Sequence, residues 1–321
     1  MVTTNPCFPR LPFFFLALAA ATCNGQATYS YDGGGHLTRA SYGSAGSVVY
    51  GYDAAGNLIS RSVVAASVPS ITSLSTASGG AAIAQNTFIV IKGSNLVPAT
   101  TPSAGVIWST APSFASGQMP TQLSGVSVTV NGKAAYIYFY CSAATSTVCT
   151  SDQINVLTPL DLATGAVPVI VASATSSGTT TSSPYTATMQ SVAPAFLLFG
   201  STNYVAATHV NGGIIGPSTL YPGSSTPAQP GESVVIYAVG FGLPSTTLTP
   251  GSSTQSGSLP KLPACTVGNN PATLAFAGVI SPGLYQLNLM VPATAANGDQ
   301  PISCTYGGTT TPAGDLITVH N

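Results

Sequence analysis

Charged side chains are scarce in this chain of 321 residues. Six Lys and Arg and seven Asp and Glu make up 4% of the sequence, against about 25% in ordinary soluble domains. The basic residues are scattered rather than clustered, so they create no positive surface that would attract a polyanion. We therefore expect no nucleic-acid partner.

Long hydrophobic runs are missing beyond the first segment, where no run approaches the roughly 20 apolar residues of a membrane-spanning helix. We therefore expect no membrane span. The first segment, "LPFFFLALAAA" after Arg10, has the length of a secretory signal. We predict a cleaved signal peptide over residues 1–27 and a secreted or cell-surface protein. Lipid attachment at Cys23 is the less favoured alternative, because Ala20 and Thr22 fit a lipoprotein signal poorly.

Helical periodicity is also absent. From Val68 onward, short runs rich in Val, Ile, Thr and Tyr are broken at short, regular intervals by Gly, Pro, Asn and Ser, as in β-sandwiches. "DQINVLTP" and "YQLNLMVP" repeat one strand, and "SVTVNGKAAYIYFY" has a counterpart in "ACTVGNNPATLAF". The sequence predicts an all-β fold of two tandem Ig-like β-sandwiches, over residues 68–190 and 191–321. The link "MQSVAPAF" has no Gly/Ser run, so we expect the two to pack together.

A shorter repeat precedes the sandwiches. "YSYDGGGHLTR" and "YGYDAAGNLIS" match position by position, so that Tyr31-Asp32 corresponds to Tyr52-Asp53, and Asp and Gly in each favour a hairpin turn. This motif resembles the Rhs/YD-repeat family, whose hairpins stack into a shell. Two copies are too few to enclose anything, so we predict hairpins or a linker over residues 28–67.

The larger part of the chain also resembles known families. "MPTQLSGVSVTVNGKAAYIYFY", "DQINVLTP", "PGESVVIYAVGFGLP" and "GLYQLNLMVP" are similar to the uncharacterised C-terminal module of exported acidobacterial (Solibacter-type) proteins. "PSITSLS", "FIVIKGSNL" and "VSVTVNG" resemble IPT/TIG immunoglobulin-like domains. These resemblances imply an Ig-like fold and an extracellular accessory role, and they bring no catalytic residue.

Catalytic patterns are hard to find. No Ser stands in a Gly-x-Ser-x-Gly context, and His209, the one candidate base, is interpreted as a solvated loop residue. The carboxylates of the sandwiches are interpreted as structural caps: Asp152, Asp161, Glu232, Asp299 and Asp315. Cys and His lack zinc-ligand spacing, and acidic residues are too sparse to indicate calcium. We therefore predict no enzyme, no metal and no cofactor.

Two polar features could mark a binding surface. Gln153/Asn155 and Gln286/Asn288 each share one face of a strand and could present amides to a sugar or a peptide. The favoured interpretation is that they bond to neighbouring loops while the residues between them fill the core. Tyr136, Tyr138 and Tyr140 share a parity and form a stripe, which we assign to surface or domain-interface packing.

Four of the six cysteines remain once a signal containing Cys7 and Cys23 is removed, which suits two disulfides in an oxidising compartment. Aligning the two copies places Cys265 on Val128 and Cys304 on Val171. If the copies share a fold, these positions face each other. We predict disulfides Cys265–Cys304 and Cys141–Cys149, the second within an inserted loop.

The sequence thus indicates an exported, non-enzymatic structural or adhesive module of the cell surface, with an extracellular protein or polysaccharide as its partner. The alternatives are a β-sandwich hydrolase or lyase and a remnant of a larger Rhs-type toxin or shell protein.

Overall fold

The computed structural model describes residues 27–42, 45–64, 67–175 and 178–321. The predicted signal peptide lies almost entirely outside these residues. Strands make up 49% of the described residues and helices 3%, in several antiparallel sheets. The predicted all-β sandwich fold is confirmed. No helix in the described part of the chain is long and apolar enough to cross a membrane.

The YD-like repeats form one four-stranded sheet, here called the hairpin sheet, in the order β1-β2-β3-β4. Its strands are β1 (Thr28–Tyr31), β2 (Leu37–Ser41), β3 (Ser47–Tyr52) and β4 (Leu58–Val64). Asp32 Oδ1 accepts hydrogen bonds from the backbone N–H groups of residues 34 and 36, and Asp53 Oδ1 accepts from those of residues 55 and 57. Both repeats therefore close with the same turn.

The first sandwich has a five-stranded layer in the order β5-β7-β13-β12-β8 and a seven-stranded layer built on β11-β10-β14-β16-β6, with β9 and β15 at its edges. The bounds are β5 (Ser70–Thr76), β6 (Ala82–Ile83), β7 (Phe88–Ser94), β8 (Val106–Ile107), β9 (Gln122–Leu123), β10 (Val126–Val130), β11 (Lys133–Ala134), β12 (Tyr136–Cys141), β13 (Asp152–Leu157), β14 (Gly165–Thr175), β15 (Gly178–Thr181) and β16 (Tyr185–Met189). A 3-10 turn (Trp108–Thr110) and the short helix α1 (Pro112–Ala115) follow β8.

The second sandwich is one continuous sheet of twelve strands, in the order β20-β19-β18-β21-β25-β24-β23-β26-β27, with β17, β22 and β28 attached to it. The bounds are β17 (Ala195–Phe196), β18 (Ala207–His209), β19 (Ile214–Ile215), β20 (Ser225–Thr226), β21 (Ser233–Val239), β22 (Gly257–Ser258), β23 (Ala264–Val267), β24 (Asn270–Ser281), β25 (Leu284–Met290), β26 (Gly298–Tyr306), β27 (Thr309–Thr310) and β28 (Leu316–Val319). The long strand β24 pairs with β25 through most of its length and with β23 at its start, so it joins the two layers.

The two sandwiches share a set of matching central strands. In both, the strand with the Gln-x-Asn motif lies between two partners, β13 between β7 and β12, and β25 between β21 and β24. Val128 pairs directly with Val171 in the first copy, and Cys265 pairs directly with Cys304 in the second. The alignment made from sequence therefore matches the observed strand register.

A β-bulge is repeated as well, and it corrects the tyrosine stripe. The register shifts between Ile137 and Phe139 in β12, and between the matching residues Leu274 and Phe276 in β24. A bulge adds one residue to a strand and reverses the side-chain alternation beyond it. Tyr140 is consequently buried in the core at 1% exposure. The prediction that Tyr140 shares a stripe with Tyr136 and Tyr138 was wrong.

Candidate functional site

An apolar cavity of about 420 Å³ lies where the five-stranded layer of the first sandwich meets the second sandwich. We call it the aromatic groove. Its lining from the first sandwich consists of Ala77, Phe88, Ile89, Val90, Trp108, Tyr138 and Asn155, and from the second sandwich of Leu197, Val239, Ser281, Pro282 and Leu284. None of these side chains carries a charge.

Aromatic rings form one wall of the groove. The indole of Trp108, the single Trp of the chain, stacks on Phe114 with ring centroids 5.1 Å apart. It meets the edge of Tyr138 at 4.8 Å, and Phe88 lies 5.3 Å from Tyr138. These four rings come from a 3-10 turn, a short helix and strands β7 and β12, which lie on either side of β13. Their mutual packing fixes the orientation of Trp108.

The amide of Asn155 is the polar side chain at the centre of this wall. Gln153 Nε2 donates a hydrogen bond to Asn155 Oδ1 at 2.9 Å, which leaves the Asn155 amide nitrogen for other acceptors. The alternating residues Ile154 and Val156 are fully buried. The expectation that the amides bond to neighbouring loops was wrong, because they bond to each other along the strand.

The second amide pair has the same internal hydrogen bond. Gln286 Nε2 donates to Asn288 Oδ1 at 2.7 Å, while Leu287 and Leu289 fill the core. This pair lies on β25 and does not line the groove. Because both copies have this Gln-to-Asn hydrogen bond, it is a property of the Gln-x-Asn strand motif. What sets Asn155 apart from Asn288 is its position in the lining of the groove.

The second sandwich closes the groove through the turn between β24 and β25. Gly283 has a φ of 67°, and a Cβ placed on it would collide with Leu157 Cδ1 and lie 3.1 Å from the ring of Phe88. Only glycine adopts this backbone conformation readily and also allows this approach. The turn thereby holds Pro282 and Leu284 against the aromatic wall.

His209 is not the solvated loop residue that the sequence suggested. It ends strand β18, where its Nδ1 lies 2.5 Å from Glu232 Oε1 and its Nε2 lies 2.9 Å from Thr226 Oγ1. Glu232 Oε2 also accepts a hydrogen bond from the Gln229 N–H at 2.8 Å. The predicted cap at Glu232 is therefore present, and it belongs to a carboxylate–imidazole–hydroxyl chain that sequence reasoning missed.

Other carboxylates of the sandwiches support loops. Asp152 is buried, and its oxygens accept from the Leu96 and Ala143 N–H groups and from the Ser142 hydroxyl. Hydrogen bonds from Asn131 and Lys133 lower the pKa of Asp161.

Asp299 and Asp315 differ in their surroundings. Asp299 accepts from the hydroxyls of Tyr204 and Thr318. Asp315 differs from the other carboxylates because burial raises its pKa to about 6.

Both predicted disulfides are present. Cys141 is bonded to Cys149, across a separation of 8 residues, and Cys265 to Cys304, across 39. Cys265 and Cys304 are buried on adjacent strands of one layer.

A larger cavity, of about 860 Å³, lies beside the Cys141–Cys149 loop. Small polar and apolar residues line it, and Asp152 there is already engaged by three donors. It offers no aromatic surface, so we take the aromatic groove as the candidate site.

Comparisons with known proteins give only distant likenesses. No family model and no curated protein sequence matches the chain. Its fold is similar to the mixed-linkage glucan utilization locus SGBP-B of Bacteroides ovatus, solved with a mixed-linkage heptasaccharide (10% identity, TM-score 0.33, 85% of this chain and 52% of that one). It is also similar to SGBP-B from a complex xyloglucan utilization locus of Bacteroides uniformis (14%, 0.22, 78% and 49%).

A third similar structure is the C-terminal domain of the Streptococcus agalactiae AgI/II polypeptide BspA (9% identity, TM-score 0.19, 85% of this chain and 98% of that one). The chain spans about half the length of the two SGBP-B structures. At these TM-scores none of the three likenesses bears on function.

Proposed function

We propose that this protein is a non-enzymatic binding module of the cell surface that holds a neutral polysaccharide in the aromatic groove. Its two disulfides suit an oxidising, extracellular compartment. An exported module with two packed sandwiches can present a groove at their junction while both sandwiches serve as its support.

The observation that carries this proposal is the position of Trp108 and Asn155 in one groove. A pyranose ring has an apolar C–H face, which packs on an aromatic ring, and a rim of hydroxyls, which accept from and donate to amides. Trp108 and Tyr138 supply rings, and Asn155 supplies an amide at the same wall. The absence of charge from the lining favours a neutral glycan over an acidic one.

The experiment measures binding of the protein to a panel of neutral polysaccharides (glucans, xylans, mannans and galactans) by affinity electrophoresis and calorimetry. We expect at least one to bind, and we expect Trp108→Ala to weaken it about tenfold or more, equivalent to about 1.4 kcal/mol. Asn155→Ala should weaken it by a smaller factor, because it removes one polar contact.

Tyr42→Ala is the matched control, since Tyr42 is an aromatic residue 45% exposed and far from the groove in sequence. It should bind like the unmodified protein. If no glycan of the panel binds, or if Trp108→Ala binds as well as Tyr42→Ala, the groove is not a glycan site and an extracellular protein becomes the ligand to seek. Release of sugar fragments from a polysaccharide during incubation would contradict the proposal that the module is non-enzymatic.

Hydrolysis is a second candidate function, favoured by the Thr226–His209–Glu232 chain alone. In a nucleophilic triad a carboxylate orients the imidazole, and the imidazole accepts the hydroxyl proton. Ester turnover that is lost in both Thr226→Ala and His209→Ala would support this candidate. If ester turnover is absent, or is unchanged by these substitutions, then the three residues Thr226, His209 and Glu232 have a structural role.

A further inference from the structure

We propose that the glycan site extends beyond the aromatic groove into a neighbouring polar cavity, which binds the hydroxyls of the next sugar of the same chain. This inference rests on the proposed function, because it gives the same neutral polysaccharide a second point of attachment. The cavity, here called the polar annex, has a volume of about 320 Å³. It is lined by Ser253, Thr254, Gln255, Ser256, Ile280 and Ser281.

Ser281 joins the two cavities. It ends strand β24 and lines both the aromatic groove and the polar annex. The strand register shifts between Val279 and Ser281, and a β-bulge of this kind redirects the side chains at a strand end. Ile280 is 38% exposed and gives the annex an apolar surface. A ligand that leaves the groove across Ser281 therefore enters the annex directly.

Gln255 is the buried polar residue of the annex. It is 6% exposed, and its Oε1 accepts a hydrogen bond from Asn86 Nδ2 at 2.9 Å. The amide nitrogen of Gln255 makes no hydrogen bond to any residue that the structure describes. Because an unpaired amide donor in a buried residue costs free energy, a ligand oxygen that accepts from this nitrogen would bind favourably.

Three hydroxyls add donors and acceptors to the annex. Within the described part of the chain, the Oγ atoms of Ser253, Ser256 and Ser281 make no hydrogen bond. The backbone that carries the first two is nevertheless held in place. The Ser253 N–H donates to the Gly117 carbonyl at 2.9 Å, and the Ser256 carbonyl accepts from Thr246 Oγ1 at 3.1 Å. Hydroxyls on a fixed backbone lose little freedom when they bind a ligand.

The annex is also fixed relative to the aromatic wall of the groove. Asn86, which donates to Gln255, lies two residues before Phe88 of that wall. None of the residues that line the annex carries a charge, so the annex favours a neutral ligand as the groove does. Ligand pockets commonly enclose roughly 300–1,000 Å³, and the annex lies at the lower end of this range. The ligand is thus a chain with one sugar on the rings and its neighbour hydrogen-bonded in the annex.

The test measures, by calorimetry, the affinity of oligosaccharides of increasing length that are cut from the polysaccharide of the panel that binds. In the unmodified protein the affinity should rise once the oligosaccharide is long enough to fill both cavities. The double variant Ser253→Ala/Ser256→Ala should weaken the longer oligosaccharides about three- to tenfold, as expected for one or two lost hydrogen bonds, and should leave the shortest one unchanged. Ser258→Ala is the matched control, since Ser258 is exposed in the same segment and does not line the annex.

Gln255→Glu is a second variant, directed at the amide nitrogen. It keeps a side-chain oxygen that accepts from Asn86, and it replaces the nitrogen with an oxygen that cannot donate when ionised. It should weaken the longer oligosaccharides more than the shortest one. An equal loss at every length would mean that Gln255 acts through the contact between the sandwiches, which contradicts its role in the annex.

The results distinguish failure of the annex from failure of the proposed function. If no glycan binds, or if Trp108→Ala binds every oligosaccharide as the unmodified protein does, the proposed function is wrong and the annex falls with it. If Trp108→Ala weakens every length while both annex variants bind every length like Ser258→Ala, the groove binds a glycan and the annex does not. An affinity that stays constant as the oligosaccharide lengthens would overturn the annex in the same way.

Discussion

Asp315 shows how burial changes the chemistry of a single residue. It lies just before β28 at 7% exposure, and desolvation raises its pKa to about 6, whereas an unfolded Asp titrates near ~3.9. The folded protein thus holds this proton to higher pH than the unfolded chain. Its contribution to stability is complete below about pH 4 and is lost as the pH rises through about 6.

We therefore expect Asp315→Asn to stabilise the protein at pH 8, by an amount on the order of 2 kcal/mol. Its stability should also fall less than that of the unmodified protein between pH 4 and pH 6. Urea denaturation at pH 4, 5, 6 and 8 measures both effects.

Asp161→Asn is the control of opposite sign. Hydrogen bonds lower the pKa of Asp161, so its contribution is present at neutral pH and is lost as the pH falls through the lowered pKa. Asp161→Asn should therefore lower the free energy of unfolding at pH 7, and its effect on this free energy should be smallest in acid. Equal effects of the two substitutions at pH 8 would contradict the assignment of burial as the cause at Asp315.

His209 joins three segments through its two ring nitrogens, which contact Glu232 and Thr226. We expect His209→Ala to cost about 1–2 kcal/mol in the free energy of unfolding, because it removes a partly buried hydrogen bond to Glu232 and an exposed one to Thr226. Glu232→Gln should cost less on its own, and the double variant should cost less than the sum.

Urea denaturation of the four proteins in this double-mutant cycle measures the coupling. His36→Ala provides a control, since the His36–Asp32 pair is 39% and 37% exposed and pairs of that kind contribute about 0–1 kcal/mol. Strict additivity at His209 and Glu232 would mean that their contact contributes nothing to folding.

At the scale of the strands, the sequence predicted the pairing of the repeated strands and missed the bulge that both copies share. Two copies of one motif allow each strand to be checked against its counterpart, so the pairing of Cys265 with Cys304 followed from the alignment with Val128 and Val171. The bulge in β12 has no signature of its own in "AYIYFY", and Tyr140 was placed on the wrong face as a result.

The candidate site was harder to predict than the strands because distant segments assemble it. Trp108 lies in a 3-10 turn of the first sandwich, and Pro282 lines the same groove from the turn between β24 and β25 of the second sandwich. The single signal in the sequence was that the chain has just one Trp. Neither strand periodicity nor the repeat could show which turn of the second copy would face it.

The two disulfides should differ in their effect on stability. On the chain-entropy model, closing about 40 residues stabilises by roughly 4 kcal/mol and closing about nine by roughly 2.5. Replacing Cys265 and Cys304 by Ala should cost more than replacing Cys141 and Cys149, and the difference should grow because both sulfurs of the first pair are buried in the core.

Denaturation of the two double-Ala variants checks this order, and non-reducing peptide mapping checks the pairing. A peptide that links Cys141 or Cys149 to Cys265 or Cys304 would show that the strand alignment is wrong. A larger loss for the 141/149 variant would mean that the inserted loop supports the first sandwich more than its length indicates.

At the scale of the whole molecule, the two sandwiches are in direct contact. The Met119 N–H donates to the Gly251 carbonyl at 2.7 Å, and the Ser253 N–H donates to the Gly117 carbonyl at 2.9 Å. Residues 117–119 and 251–253 thereby form a short ladder between the copies. The aromatic groove depends on this contact, because each sandwich supplies one wall of the groove.

A buried amide pair reinforces the junction. Asn86 Nδ2 donates to Gln255 Oε1 at 2.9 Å, and the two residues are 1% and 6% exposed. An amide buried without its partner costs roughly 1–3 kcal/mol. Asn86→Leu or Gln255→Leu should therefore destabilise the contact between the two sandwiches. The double substitution leaves no unpaired amide and should destabilise this contact less.

The unmodified protein is expected to tumble as one body over both sandwiches, with a single rotational correlation time in NMR relaxation. Each single variant should loosen the junction and weaken any glycan bound in the groove, since Pro282 and Leu284 would no longer be held against Trp108. Asn269→Leu, at an exposed turn of the second sandwich, is the control and should change neither property. Two correlation times in the unmodified protein, or glycan binding that survives a loosened junction, would show that the groove does not need both sandwiches.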